Sequence, residues 1–467
     1  MADIHSFFKD ETHECDGRLS ATENRIYCSI IDASAVVERR LMRRIDLHVI
    51  PWLSVLYILS FMDRGSIGNA KLFHLEEDIN INDGKYLIAL SVFFLPYAVF
   101  EPASNVILRK LKPSLWLSTM MLLWGVVMTL HGFIRNYSDL IILRFLLGIT
   151  EGGLYPGIVF YISSWYKRSE MGSRIAIFFS SAAIAGAFSG LLAAAIDTMD
   201  GVGGRPGWSW IFIIEGLATV LASFASFWLI QDFPDTAEFL SEAERVFVVR
   251  RLENDMKLSA AGEVFKAQYL LQSLTDWKTW VASIVSDGPL YAFSLFLPST
   301  ISQVSRLRFQ ATEANLLCVP VYVWGCISTC AIGFLGDRIG TPNSVAWLAS
   351  NVEGSYKRSV TLGMAIGFGN INGAVTANIV RDRPWYRLGH GVVLAYIATS
   401  LKIGFGSSIL FARLLERENA RRDRGERDEV IEGVENEHAR ERNGKFGCVE
   451  AARAFKGDEW SGFRYTL

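Results

Sequence analysis

Six cysteines and seven histidines in 467 residues leave little with which to hold a metal. Cys318, Cys326 and Cys330 share one apolar run, while Cys15, Cys28 and Cys448 lie in polar tails. No pair stands at zinc-site spacing from histidines, and no disulfide framework is legible, so reduced thiols serving as small apolar residues account for the set. No nucleophile elbow or phosphate-binding loop occurs in a strand–turn–helix context, which argues against an enzyme and leaves no cofactor or metal to expect. Excess charge is lacking too. A net charge of -2 carries no basic signature for nucleic acid. The first 30 residues are polar and acidic, without the apolar core and small-residue cleavage site of a secretory signal. Insertion is expected to rely on the first membrane span.

Apolar sequence is what the chain has in abundance. Hydrophobic residues make up 51% of it, in long uncharged runs. About 20 apolar residues carry a helix across a bilayer, and a lipid-exposed backbone must satisfy its own hydrogen bonds. Ten spans are predicted: approximately Val49–Gly68, Tyr86–Leu108, Leu115–Ile134, Leu140–Trp165, Ile175–Ile196, Trp208–Ile230, Trp280–Ile301, Ala314–Leu335, Val360–Val380 and Gly389–Leu415. The fold class is therefore all-α integral membrane. Lys and Arg collect in alternate turns: Arg39, Arg40, Arg43 and Arg44 before span 1, Arg109, Lys110 and Lys112 after span 2, Lys167, Arg168 and Arg174 after span 4. The intervening turns are less basic, as at Glu76-Glu77-Asp78. This places both termini in the cytoplasm. The expected organisation is a cytoplasmic tail 1–46, a six-helix bundle 47–230, a polar linker 231–279, a second bundle 280–415, and a charged, solvated tail 416–467.

Within this layout Tyr166-Lys167-Arg168-Ser169 recurs as Tyr356-Lys357-Arg358-Ser359. Each copy follows a turn carrying charge, at Arg109-Lys110 in the first half and Asp337-Arg338 in the second. Two homologous halves account for the repeat. The spacing is unequal, 57 positions from Arg109 to Tyr166 but 18 from Arg338 to Tyr356. In the shorter interval only Thr341–Ser350 is apolar, about 15 Å of helix, which cannot span. The second bundle is thus expected to hold four spans plus a stub at 341–350. Loss of two spans preserves the sidedness of everything that follows.

Several motifs carry a family resemblance. Span 1 reads Arg44-Ile45-Asp46, Pro51-Trp52, Asp63-Arg64 and Ile67-Gly68-Asn69-Ala70; span 2 ends in Tyr97, Glu101-Pro102 and Ser104-Asn105. Span 4 reads Arg144-Phe145-Leu146-Leu147-Gly148, Glu151-Gly152-Gly153 and Tyr155-Pro156, and span 6 has Trp210 and Glu215-Gly216. The second half adds Gly336-Asp337-Arg338-Ile339-Gly340 and Asn351-Val352-Glu353-Gly354-Ser355-Tyr356-Lys357-Arg358, and the chain closes on Phe463-Arg464-Tyr465-Thr466-Leu467. Together these resemble the major facilitator superfamily, in its fungal anion:cation symporter group of allantoate, pantothenate and nicotinate permeases. The resemblance implies a two-bundle transporter fold of twelve spans, with spans 1, 4, 7 and 10 lining a cavity. This chain departs from it with about ten, the ninth and most of the tenth family spans being absent after Gly340.

Intramembrane charges are costly and mark cavities or pairs. Arg144 and Glu151 are seven residues apart, hence on one helical face, with Glu151 about 16 Å deep. Arg144 is a candidate for substrate binding and Glu151 for proton coupling, or the two form a structural pair. Arg64 and Asn69 are further substrate candidates, unless Asp63 and Arg64 are an interfacial pair that snorkels to water. Glu215 and Asp287 are candidate proton sites, Glu215 being as readily a hydrogen-bonded structural group. Asn370 and Asn372 could reach substrate or pack between helices. Glu101 and Arg109 are expected to latch a cytoplasmic gate, and the resemblance assigns Asp337 and Arg338 the same task. The glycines Gly186 and Gly190, like Gly363 and Gly367, read as close helix contacts. Asn136-Tyr137-Ser138 is a glycosylation sequon placed very close to span 3.

The leading expectation is a monomeric plasma-membrane symporter in which a small organic anion, such as a vitamin or ureide carboxylate, moves with protons. The alternatives are a truncated or mis-spliced product that does not transport, and a transporter-like nutrient sensor.

Overall fold

The computed structural model describes residues 36–256, 268–280, 311–339, 344–352, 355–379 and 412–465. The first half contains α1 (Glu38–Leu72), α2 (Asp83–Lys110), α3 (Pro113–His131), α4 (Tyr137–Glu151), α5 (Leu154–Ser163), α6 (Arg168–Asp197) and α7 (Gly207–Leu229). Local chemistry sets their starts. Asn82 and Asn136 each accept the backbone N–H three residues on, at 2.9 Å, and Pro113 opens α3. Among the described residues seven stretches are long and apolar enough to cross a bilayer. They correspond to predicted spans 1 to 6 and 8. Residues 281–301 and 389–411, nearly all of the other two predicted spans, lie outside the described residues.

Span 4 departs from expectation. It is two helices, because the chain breaks at Gly152-Gly153 between α4 and α5. Pro156 has no N–H to offer the carbonyl of Gly152, which removes the bond that would carry the helix through. The break falls one residue after Glu151.

The first half is apolar outside and polar within. Leu95, Val99, Leu221 and Trp228 are exposed, whereas Ser60, Asp63, Ser66 and Asn69 of α1 are buried. That reverses the pattern expected in water and suits a lipid surround. Beyond α7, helix α8 (Glu242–Met256) packs under this half. Arg251 donates to Glu38 at 2.6 Å and to Glu170, and Asp255 accepts from the Arg168 N–H at 2.8 Å.

The described part of the second half comprises α9 (Gln268–Thr275), α10 (Ala311–Ile339), α11 (Ser344–Ser350) and α12 (Ser355–Ile379). Helix α11 has seven residues, about 10 Å, so the stub at 341–350 does not span. Two pairs of long helices join the halves, α2 with α12 and α6 with α10. Glycines make both approaches close. A Cβ on Gly363 would lie 2.9 Å from the Pro102 backbone, and one on Gly186 would lie 2.5 Å from the Tyr322 ring.

The charged tail folds back rather than extending into solvent. Helix α13 (412–423) is followed by two short parallel strands, Val430–Ile431 and Lys445–Phe446, and by α14 (Val449–Lys456). Arg422 Nη1 donates to the carbonyls of Asp458, Trp460 and Phe463 at 2.9–3.0 Å, tying α13 to the chain end. The carboxylate of Asp458 is buried between Lys278 and Lys357 of the second half. Arg168 of the first half donates to the Arg464 carbonyl at 3.1 Å and lies over the Phe463 ring. Both Tyr-Lys-Arg-Ser copies therefore stand at one end of the molecule, where the tail touches each half.

Candidate functional site

The interior of the first half holds a cluster of buried charges. Glu151, at the end of α4, is almost wholly buried and accepts from Arg64 Nε at 2.6 Å and Ser60 Oγ at 2.8 Å. Arg64 also donates to the Tyr97 hydroxyl at 2.6 Å and stacks its guanidinium 5.0 Å from that ring. Asp63, one residue earlier, is 1% exposed and lies against Glu215 and Trp124. The snorkelling alternative fails for this pair, since both side chains point into the bundle. Glu215 of α7 accepts from Ser66, which rests one turn further along α1. Asn69 donates to Ser189 Oγ at 3.0 Å, linking α1 to α6.

Arg144 is 3% exposed and sits near Tyr86, Glu151 and Asp63. Its Nε and Nη2 have no hydrogen-bond partner among the described residues, and neither does Glu151 Oε2. Arg64, not Arg144, is the cation bonded to Glu151. Arg144 shares a helical face with Glu151 but leaves two donors open beside it. Unsatisfied buried polar atoms are rare, because each costs about 1–3 kcal/mol. Those of Arg144 and Glu151 lie on α4 within about two turns of its break before α5.

The expected gating residues lie outside this cluster. Glu101 is fully buried at the contact of α2 with α12 and accepts from Asn370 Nδ2 at 3.1 Å. A Cβ on Gly367 would come within 2.6 Å of Glu101 Oε2, so the glycine makes room for the carboxylate. Asn370 thus lies in the contact between halves. The side chain of Asn372, and all of Asp287, lie outside the described residues. Asp337, near the end of α10, accepts from the Ser173 N–H in the second turn of α6 at 2.8 Å. Arg338 is exposed beside it. The Arg109 guanidinium lies over the Phe233 and Tyr356 rings, and Asn105 Nδ2 donates to the Ser359 carbonyl at 2.8 Å. These contacts close the two halves against each other at the end that carries the tail.

Sequence reasoning passed over Ser60, Ser66, Ser189 and Asn105 as site residues. A signal existed for two of them: Ser60, Asp63 and Arg64 share a helical stripe on α1, and Ser66 lies three residues after Asp63. Nothing local distinguishes Ser189 or Asn105, whose partners are 120 and 254 positions away.

Long helices with an apolar exterior, a charged and partly unsatisfied interior, and two halves joined at one end define a polytopic membrane transporter. The chain belongs to the major facilitator superfamily, whose sequence profile matches residues 53–412. Among its relatives, an uncharacterized transporter of Schizosaccharomyces pombe is 30% identical, over 87% of this chain and 91% of that one. The high-affinity nicotinic acid transporter of Saccharomyces cerevisiae is 27% identical, over 91% of this chain and 87% of its own length. A solved bacterial homologue of the human drug peptide transporters is 13% identical with a TM-score of 0.50, over 79% of this chain and 99% of that one. That likeness concerns the fold. The protein is a transporter of the secondary type and not an enzyme.

Proposed function

We propose that the chain is a proton-coupled symporter of the anion:cation group, taking up a small organic anion across a fungal plasma membrane by alternating access. The observation that carries this is the buried cluster of two guanidiniums, Arg64 and Arg144, with three carboxyls, Asp63, Glu151 and Glu215. A buried cluster tends to neutrality, since an uncompensated charge there is very costly. Two cations and three acids are neutral when one proton is bound. An entering carboxylate would take the open donors of Arg144 in bidentate fashion, with Arg64 and Asn69 beside it. A second proton, on Glu151, Glu215 or Asp287, then restores neutrality and lets the halves rock. The nicotinic acid transporter among the relatives supports an anionic vitamin or ureide as cargo. The end that carries Arg109, Asp337 and Arg338 is the cytoplasmic one on this reading, with both termini there, and the contacts between halves are its closed gate.

Uptake of a radiolabelled panel (nicotinate, pantothenate, allantoate, biotin, a dipeptide) into yeast lacking its own carriers tests the proposal. One anion is expected to accumulate, faster at acid external pH, and Arg144→Ala should abolish this with surface expression intact. Undiminished uptake by Arg144→Ala would remove that residue from the site.

A second reading is supported by specific observations. In its most apolar stretch α10 is 11% buried, against 44–78% for the six spans of the first half. The pairing of halves also favours two missing spans. If α12 corresponds to the fifth span of its half and α10 to the second, each second span packs on the opposite fifth, as twofold symmetry requires. Counting α12 as a third span breaks that symmetry. The product would then lack two helices around its cavity and would not transport. Sequencing the transcript across Gly340–Thr341 separates the readings: an in-frame insertion of about 55 residues identifies a missed exon.

A further inference from the structure

A cavity of about 800 Å³ lies where the tail meets the second half. Its size is that of a site for a whole small molecule. Seven of its lining side chains are basic and two are acidic, so the wall carries a strong positive excess. Local carboxylates match only part of this charge: Arg424 lies 2.7 Å from Glu426, Lys456 2.7 Å from Glu429, and Arg421 4.0 Å from Glu426. Glu418 is shared by Arg427 at 2.8 Å, Arg422 at 3.6 Å and Arg421 at 3.7 Å. Arg417 makes no ion pair among the described residues, whereas Arg422 is committed to the carbonyls of Asp458, Trp460 and Phe463 and to the Tyr465 hydroxyl. Lys278 is committed to Asp458 and is not counted among the open donors.

The geometry points to a site for a ligand bearing two or more phosphates. The five lining arginines have Glu418 and Glu426 between them, so one further carboxylate would still leave guanidinium charge in excess, whereas clustered phosphates offer several forks a pair of oxygens. Trp277 and Leu414 add an apolar wall on which a ring can rest. The cavity is bounded by three separate parts of the chain: Trp277 at the foot of the second half, α13, and the tail end at Lys456 and Tyr465. A ligand held there joins them, and so fastens the tail to the body. The site is distant in sequence and place from the charged cluster of α1, α4 and α7, and it does not depend on uptake. The same chemistry is presented by a membrane phosphoinositide headgroup and by a soluble nucleotide or inositol phosphate.

The test uses the full chain, purified in detergent for ATP and inositol trisphosphate, and in nanodiscs with and without phosphatidylinositol 4,5-bisphosphate. Saturable binding and a raised melting temperature are expected with one class of probe. Response to the nanodisc lipid alone assigns the headgroup, and response to the soluble probes assigns a free ligand. The double variant Arg421→Glu/Arg424→Glu alters two exposed side chains and should fold. It should weaken binding by about a hundredfold, as loss of two charge-assisted contacts implies. Arg40→Glu, exposed on α1, should leave it unchanged. No binding by any probe, or equal loss in the Arg40 variant, overturns the assignment.

Discussion

Arg64 and Glu151 are 87 positions apart and joined by a 2.6 Å hydrogen bond inside the first half. Breaking one member of a buried pair strands the other, at a cost of about 3–5 kcal/mol, whereas replacing both with apolar residues is often near neutral. Arg64→Ala should therefore lower the melting temperature in detergent more than the double change Arg64→Met/Glu151→Leu, although both should abolish transport. Equal melting losses would mean the pair is solvated rather than buried. The sequence marks Arg144, Glu151 and Glu215 as intramembrane charges, because charge is expensive in an apolar run wherever the run goes. It does not say which guanidinium meets which carboxylate, since Arg144 is nearer to Glu151 along the chain yet Arg64 makes the bond. The Asn136 sequon has a local use instead: its side chain caps α4.

At the scale of elements, close packing decides which substitutions the bundle accepts. A Cβ on Gly148 would lie 2.3 Å from the Phe93 carbonyl and 2.8 Å from Pro96 Cγ, so α4 rests directly on α2. Gly148→Ala should push these helices apart at a cost of about 1–3 kcal/mol. A Cβ on Gly68 would meet nothing within 4 Å. Gly68→Ala should stabilise α1 by about 0.5–1 kcal/mol, since glycine is a poor residue for a helix interior. Melting curves in detergent check both, and a stable Gly148→Ala protein would contradict the packing. Most helices were legible as apolar runs of spanning length. The break inside span 4 was written in Gly152, Gly153 and Pro156 but masked by the apolar residues around them. The paired strands of the tail were not legible, being two residues each.

For the molecule as a whole, the docked tail is the feature composition misrepresents. Burial opposes ionisation of Asp458, but Lys278 and Lys357 outweigh it and hold the carboxyl well below the usual carboxylate range. Burial likewise opposes charge on Lys278, and Asp458, Tyr465 and Asp276 overcome it, raising the ammonium above the ordinary lysine range. For Asp458 the stabilisation is complete above the free value of about 3.9 and is lost as pH falls through the docked value. For Lys278 it is complete below about 10.4 and is lost as pH rises through the docked value. Docking should thus be flat across neutral pH and fail at the extremes. Asp458→Asn strips buried Lys357 of its carboxylate and leaves Lys278 only Asp276 at 3.3 Å, and should free the tail at neutral pH, at a cost of about 3–5 kcal/mol. Limited proteolysis at the arginines of 412–424 reads this directly, and a variant as protected as the parent would show that the ion triad does not hold the tail.

By itself the sequence determined that the chain lives in a membrane, where its helices run, which residues carry charge into the interior, and that the second half is shorter than the first. Those properties depend on runs and spacings, and a bilayer imposes the same length and backbone bonding on any apolar run. Only the tertiary structure decided that Arg64 holds Glu151, that Asn370 meets Glu101 across the halves, and that Asp458 seats the tail between Lys278 and Lys357. Each joins residues far apart in the chain, and charge alone does not choose among the several partners that packing brings within reach.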